Sequence, residues 1–307
     1  MDKKSKFAEI VDVSARDGIQ NERRILPLDT KLELIGRAIA AGARRLEVTS
    51  FVNPARVPQM ADAAELAARL PRGPEHERAR FIGLALNAKG FERAAQAGLD
   101  EVNFVTVASD TFCRRNQGAD TFDNLRVWAE VAQAARGRIA AGITIGAAFG
   151  CPFEGEVPLD RLLKVVDAAM AHDPFELALA DTIGVATPHD VAERVGAVRA
   201  AFPDVRLRLH LHNTRNTGIA NAWVGLMAGV DCFDAALGGV GGCPFAPRAT
   251  GNIAIEDLVY MFDRAGIATG YDLDAAIAAA AWLEAELGHT VPGMVMKAGG
   301  FPAPQAA

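Results

Sequence analysis

The 307-residue chain has little of what would send a protein out of the cell or into a bilayer. No uninterrupted apolar run approaches the ~20 residues that a membrane-spanning helix needs. The opening MDKKSKFAEIVDVS carries charges with no apolar signal segment behind them. A cytoplasmic protein with no membrane partner is the expectation. Cysteine is scarce: Cys113, Cys151, Cys232 and Cys243 are too few for a disulfide framework at this length. Reduced thiols are expected, and any special cysteine is special for its chemistry. Sustained Lys/Arg runs are missing too. With a formal net charge of −6, the chain shows no footprint for a nucleic-acid backbone, so no nucleic-acid partner is expected. No linker or low-complexity segment divides the sequence, which leaves a single-domain reading open.

Half of the residues are hydrophobic, enough for one large α/β core. Short apolar runs alternate with Ala-rich amphipathic segments along the chain. Eight strands are expected, at 8–14, 44–50, 80–86, 101–107, 140–148, 175–181, 205–211 and 231–237. Helical patterns lie between them at 29–42, 88–98, 121–137, 158–172, 187–201 and 217–229. The first has Asp29 or Thr30 to cap its start and Gly42 its end. Strand and helix in repeated alternation are the signature of a (β/α)8 TIM barrel, for which ~250 residues is typical. The barrel should occupy about 8–266, followed by a short C-terminal helical extension over about 267–307. An open doubly wound sheet would require a Gly-rich phosphate turn after the first strand, and SARDGIQNE is not one.

In such a barrel the active site lies at the C-terminal ends of the strands. Those ends are polar here. Arg16, Asp17 and Gln20 follow the first strand, Glu47, Thr49 and Ser50 close the second, and Asn87 follows the third. Asp181 and Thr182 end the sixth, and His210, His212 and Asn213 the seventh. In VRLRLHLH, residues two apart point to the same side, so His210 and His212 present two imidazoles to one point. With the carboxylate of Asp17 and the amide oxygen of Asn252 they make a mixed N/O ligand set. Such a set suits Mg2+ or Mn2+ at least as well as Zn2+, because no thiolate need take part. Each of these residues also has an ordinary use, in a turn, a cap or a satisfied strand end, and their joint placement at one barrel mouth is what argues for a metal. Cys243 sits among five glycines, 238, 239, 241, 242 and 251, which allow its loop to bring a thiol to a ligand. Cys113, Cys151 and Cys232 are expected to be small buried hydrophobes.

The chain also resembles the 3-hydroxy-3-methylglutaryl-CoA lyase family, within a larger group of barrel metalloenzymes that includes isopropylmalate and homocitrate synthases. ARDGIQNE (15–22) is similar to the family's RDGLQNE opening. LEVTSFVNPARVPQMAD, GCPFEG, ADTIGVATP and GGVGGCPFAPRATGNIAIEDLVYM are similar to its later segments, nearly end to end. The resemblance implies one catalytic domain of the pyruvate-carboxyltransferase-like barrel type, with Asp17, His210, His212 and Asn252 as metal ligands. It further implies Cys243 as the reactive thiol, Arg16 polarising the thioester carbonyl, and Gln20, Glu47, Ser50, Asn87 and Thr182 near the substrate. An acyl-CoA thioester is the partner so implied, and a homo-oligomer the expected assembly. Departures occur beside the metal set: HNTRNTGIAN stands where many lyases carry HDTYGQALAN, and Ala178 where a serine is common. These leave metal chemistry intact and bear on the acyl end of the substrate.

The implied reaction is the retro-Claisen cleavage of 3-hydroxy-3-methylglutaryl-CoA to acetyl-CoA and acetoacetate. The alternatives are the same chemistry on another 3-hydroxyacyl-CoA such as citramalyl-CoA, a Claisen-condensing synthase, or a barrel that binds without catalysis. The synthases carry a long C-terminal regulatory domain, which this chain lacks room for, and a non-catalytic barrel would be expected to have lost a ligand or the cysteine.

Overall fold

The computed structural model describes residues 7–73, 79–242 and 251–302. Eight parallel strands close into a barrel in sequence order: β1 Glu9–Asp12, β2 Arg45–Ser50, β3 Arg80–Ala85, β4 Glu101–Val107, β5 Ala140–Gly146, β6 Leu177–Asp181, β7 Leu207–Leu211 and β8 Cys232–Ala235, with β8 pairing back onto β1. Closure leaves no strand edge, and helices cover the outside. They are α1 Leu28–Ala41, α2 Ala63–Ala68, α3 Ala88–Gln96, α4 Asp110–Gln117, α5 Thr121–Ala135, α6 Leu159–Met170, α7 Pro188–Ala201, α8 Gly218–Met227, α9 Ile255–Arg264, α10 Leu273–Leu287 and α11 Val295–Ala298. The expected TIM barrel is therefore the fold.

Periodicity explains which side chain goes where. In β7, Leu209 packs its δ-methyl toward Gly225 of α8, while Arg208 and His210 point into the barrel to meet Asp234 of β8. Helix α1 buries Leu34, Ile35, Ala38 and Ile39, the three-to-four spacing that lays one stripe on the barrel. It ends where expected, at Gly42 with φ +119°, and a Cβ there would lie 2.3 Å from the Gly270 carbonyl oxygen. Only glycine allows α1 to meet the segment leading into α10 so closely.

Its start differs from expectation. Neither Asp29 nor Thr30 caps α1; the helix begins at Leu28 behind Pro27, whose ring presets the entry, and Asp29 instead accepts from Arg69. Strands β1 and β8 are shorter than their apolar runs. After β1 the chain coils into a wide turn over Ser14–Gly18, in which the Gly18 N–H reaches the Val13 carbonyl, and after β8 it turns at Gly238 and Gly239, both with positive φ. Wide turns of that kind recur at functional sites because they push side chains out of the helical register.

Candidate metal centre and active site

The wide turn after β1 delivers Arg16 and Asp17 to the C-terminal mouth. Arg16 is buried and held from two sides: its Nε donates to Glu47 Oε1 of β2 at 2.5 Å and its Nη1 to Asp17 Oδ1 at 2.5 Å. The second oxygen of Asp17 accepts from Asn252 Nδ2 at 2.9 Å and faces both imidazoles, 3.9 Å from His210 Nε2 and 3.9 Å from His212 Nε2. Those two nitrogens are 3.1 Å apart. A triangle with these sides has its centre about 2.1 Å from each corner, the bond length that Mg2+ demands of its ligands. The antiparallel bridge between His212 and Asn252 brings the fourth expected ligand alongside, and Asn252 Oδ1 is buried with no hydrogen-bond partner among the described residues. Gly241 makes room, since a Cβ there would lie 2.5 Å from Asn252 Nδ2. The four residues thus converge, and the set fits a divalent cation.

Electrostatics prepare them for that role. Burial alone would raise the Asp17 pKa, but the Arg16 charge, then the two imidazoles and the Asn252 hydrogen bond hold it well below the carboxylate range. Burial, reinforced by the neighbouring His210, lowers His212 to about 4, so its ring is neutral and free to ligate at neutral pH. His210 moves the other way: burial opposes its charge, yet the Asp234 hydrogen bond and the Asp17 carboxylate raise its pKa. Asp181, raised chiefly by burial, also senses the charge of His210. Asp181 closes β6 on the C-terminal side of the barrel, the side on which Arg16 joins Glu47 to Asp17 and Asp17 faces His210.

The remaining expected residues divide. Ser50 is fully buried and its Oγ has no partner among the described residues. Gln20 is half-buried just past the wide turn. Asn87 is the N-cap of α3, its side chain accepting from the Gly90 N–H, and Thr182 Oγ1 accepts from the N–H of Ala147, a residue held at φ +51°. Asp181 accepts from the Val185 and Ala186 amides and so shapes the turn into α7. Cys243 lies outside the described residues. Cys113, Cys151 and Cys232 are buried as expected. Cys151 closes a tight turn with Gly155, each residue's N–H bonding the other's carbonyl, and its sulfur accepts from Ser109 Oγ at 2.9 Å.

Sequence reasoning missed two interior networks. Above the barrel's waist, Thr144 Oγ1 donates to Asn103 Oδ1, and Asn103 Nδ2 reaches Glu47 Oε2, bracing the carboxylate that holds Arg16. At the N-terminal end, Arg45 spans Glu9, Glu101 and Glu176 at 2.9, 2.6 and 2.9 Å, while Arg206 pairs with Glu9 and Glu176, Arg80 with Glu101, and Arg208 with Glu176 and Asp234. Glu9, Glu176 and Cys232 also come within ligating distance of one another there. Guanidinium groups already occupy that space, and burial keeps the Cys232 thiol protonated, so it is no second metal site. The signal was present in VRLRLHLH, whose Arg206 and Arg208 share the parity of the two histidines, and in Asp234, a charge inside an apolar strand.

Fold and site together describe a (β/α)8 barrel whose C-terminal mouth gathers nitrogen and oxygen groups that fit a divalent cation. The chain belongs to the HMGL-like family, whose model matches residues 8–282. It is 48% identical over 298 residues to the (R)-citramalyl-CoA lyase of Chloroflexus aurantiacus, covering 94% of each chain. It is 38% identical to the mitochondrial hydroxymethylglutaryl-CoA lyase of Bos taurus, covering 91% of this chain and 85% of that one. Among solved structures, an HMG-CoA lyase from Acinetobacter baumannii, in complex with coenzyme A and 3-methylmalate, superposes with a TM-score of 0.92 at 37% identity, covering 99% of this chain and 100% of the other. The family is divalent-metal dependent, and this chain is one of its acyl-CoA lyases.

Proposed function

We propose that the protein cleaves 3-hydroxy-3-methylglutaryl-CoA to acetyl-CoA and acetoacetate by retro-Claisen chemistry, using Mg2+ or Mn2+ held by Asp17, His210, His212 and Asn252. The observation that carries this reading is the convergence of Asp17 Oδ2 and the two Nε2 atoms around one point. When bound, the cation would favour ionisation of the substrate's tertiary hydroxyl. The hydroxyl proton leaves to a base, the C2–C3 bond breaks, C3 becomes a ketone, and the electron pair passes into the thioester as an enolate that is then protonated on carbon. Arg16, fixed by Glu47 and Asp17, is suited to offset charge on the thioester oxygen, because a preorganised donor needs no reorientation as charge develops. Ser50 Oγ, buried and unpartnered, offers a hydrogen bond to the acyl group; Gln20, Glu47, Asn87 and Thr182 are assigned to the substrate's surroundings. Cys243 is assigned the proton relay on the resemblance of its sequence setting. Cys243→Ser should then lower turnover by orders of magnitude while Mn2+ binding persists.

A second reading has its own support. The 48% identity to a citramalyl-CoA lyase exceeds the 34–38% to hydroxymethylglutaryl-CoA lyases. Citramalyl-CoA is one methylene shorter, carries the same tertiary hydroxyl and would be cleaved by the same bond change. The departures at 213–217 tie the β7–α8 turn to the β6–α7 turn: Arg215 Nη1 donates to the Ile183 and Gly184 carbonyls, and Asn213 Oδ1 accepts from the Gly218 N–H. Ala178 lies opposite Arg208 in the β6–β7 register. Comparing kcat/KM for the two thioesters in the presence of Mg2+ decides between them. Failure to cleave any 3-hydroxyacyl-CoA of a panel would defeat both.

A further inference from the structure

We infer that Asp234 is a positioning residue for the metal centre: held by Arg208, it fixes the tautomer and ring orientation of His210 so that Nε2 faces the cation. The inference rests on the metal reading above. His210 and Asp234 are register partners across the parallel β7–β8 ladder, so both project to the barrel interior side by side. His210 Nδ1 lies 3.0 Å from Asp234 Oδ2, and an ionised carboxylate only accepts, so the ring must carry its proton on Nδ1. Nε2 is thereby the nitrogen turned toward His212 Nε2 and Asp17.

The carboxylate is itself tethered. Its other oxygen, Oδ1, is 3.3 Å from Arg208 Nη1, and Arg208 Nε is 3.0 Å from Glu176 Oε2; both contacts are ion pairs without hydrogen-bond alignment. All three side chains are almost wholly buried. A line of charges, Glu176, Arg208, Asp234, then runs from the ion network at the N-terminal end to a candidate ligand at the C-terminal mouth. His212 has no such partner, for its Nδ1 is buried with no hydrogen bond among the described residues. One imidazole is oriented through its Nδ1 by a carboxylate, and the other is not.

The tether makes Asp234→Asn an informative change. An amide has one oxygen, and the Arg208 guanidinium beside it draws that oxygen to its side. The NH2 is left to face His210, whose Nδ1 must then accept, moving the ring proton to Nε2 and blocking the lone pair meant for the cation. Metal affinity should therefore fall even though size and packing are kept. Mn2+ binding to the full chain, read by electron paramagnetic resonance, should weaken by about 10–100-fold in Asp234→Asn. A role confined to packing would lower the melting temperature and leave the affinity of the folded variant alone, so folded Asp234→Asn that binds Mn2+ within twofold of the unaltered protein overturns the inference. A second measurement needs no variant. In metal-free unaltered protein at neutral pH, nitrogen NMR of the His210 ring should show a proton on Nδ1, and a ring bare at Nδ1 overturns the inference just as surely. Unaltered protein that binds no Mn2+ would sink the metal reading instead, while the ring spectrum would still decide what Asp234 does.

Discussion

The two ends of the barrel are both charged and both buried, yet they are built on opposite plans. At the N-terminal end four guanidinium groups, Arg45, Arg80, Arg206 and Arg208, meet four carboxylates, Glu9, Glu101, Glu176 and Asp234. At the C-terminal mouth one guanidinium, Arg16, serves two carboxylates, Asp17 and Glu47, beside two imidazoles whose nitrogens face each other. The first end is neutral in sum. The second has one guanidinium for two carboxylates and, among the described residues, unpartnered atoms on Asn252, His212 and Ser50, while at the first Arg208 and Asp234 are ion-paired without a hydrogen bond between them. Balanced charge can be buried once its groups are paired, whereas a surplus of charge and lone pairs is a standing cost that a ligand can relieve. One end closes the barrel and the other is kept ready to bind, as barrels with sites at their C-terminal mouths require.

If that division is right, damage at the two ends should separate. The largest effect is expected from His212→Ala, which should abolish Mn2+ binding in calorimetry and lower turnover by about three orders of magnitude or more. The melting temperature of the metal-free protein should hold or rise, because His212 leaves a ring nitrogen buried without a partner. Retained Mn2+ affinity would remove His212 from the ligand set. Next comes Arg45→Met at the other end. It strands Glu9, Glu101 and Glu176, a loss of about 3–5 kcal/mol by chemical denaturation, with Mn2+ affinity of the folded fraction unchanged. Intact stability would mean that the N-terminal network is ornamental.

Acid should also distinguish the ends. His212 is lowered from 6.5 to about 4, so the unfolded chain takes up its proton first, and metal-free protein should lose stability as pH falls from about 6.5 toward 4. Burial alone would raise the Glu176 pKa, but Arg208 foremost and Arg45 next hold it down to about 2; its stabilisation is whole above about 4.5 and lost as pH falls toward 2. Melting curves of chelator-treated protein should show the first loss removed in His212→Asn and the second untouched. The smallest effect is expected from Asn103→Ala, which withdraws the brace on Glu47: turnover should drop about 2–10-fold, the worth of one buried hydrogen bond, with Mn2+ affinity unaltered. A drop in Mn2+ affinity there would show that the Arg16 brace and the metal centre are one network.

Much of the convergence of Asp17, His210 and His212 was legible because a strand's two-residue period is strict. Placing His210 and His212 on one side, and Asp17 past the end of β1, needed only the alternation of VRLRLHLH and the barrel rule for strand ends. Helix starts were less legible. Asp29 and Thr30 have the right chemistry for a cap, and Pro27 displaced them because a proline's fixed φ sets the entry without a side-chain bond. Asn87 and Thr182 carried a substrate role by position, yet in the folded chain each accepts a backbone N–H of the loop it stands in. A strand-end polar residue serves the loop or the ligand, and local sequence does not say which.

The sequence by itself determined the eightfold alternation, hence the barrel, and the parity that turns polar side chains inward. These are short-range properties of periodic patterns. Only tertiary structure decided which inward charges meet. Arg45 finds Glu101 and Glu176 across 56 and 131 residues of chain, and His210 finds Asp234 rather than another carboxylate. Those pairings follow from the register of β2 against β3 and of β7 against β8 and from the closure of the barrel, which bring distant strands together in one interior. Parity selects the side of a strand, and only closure selects the neighbour on that side.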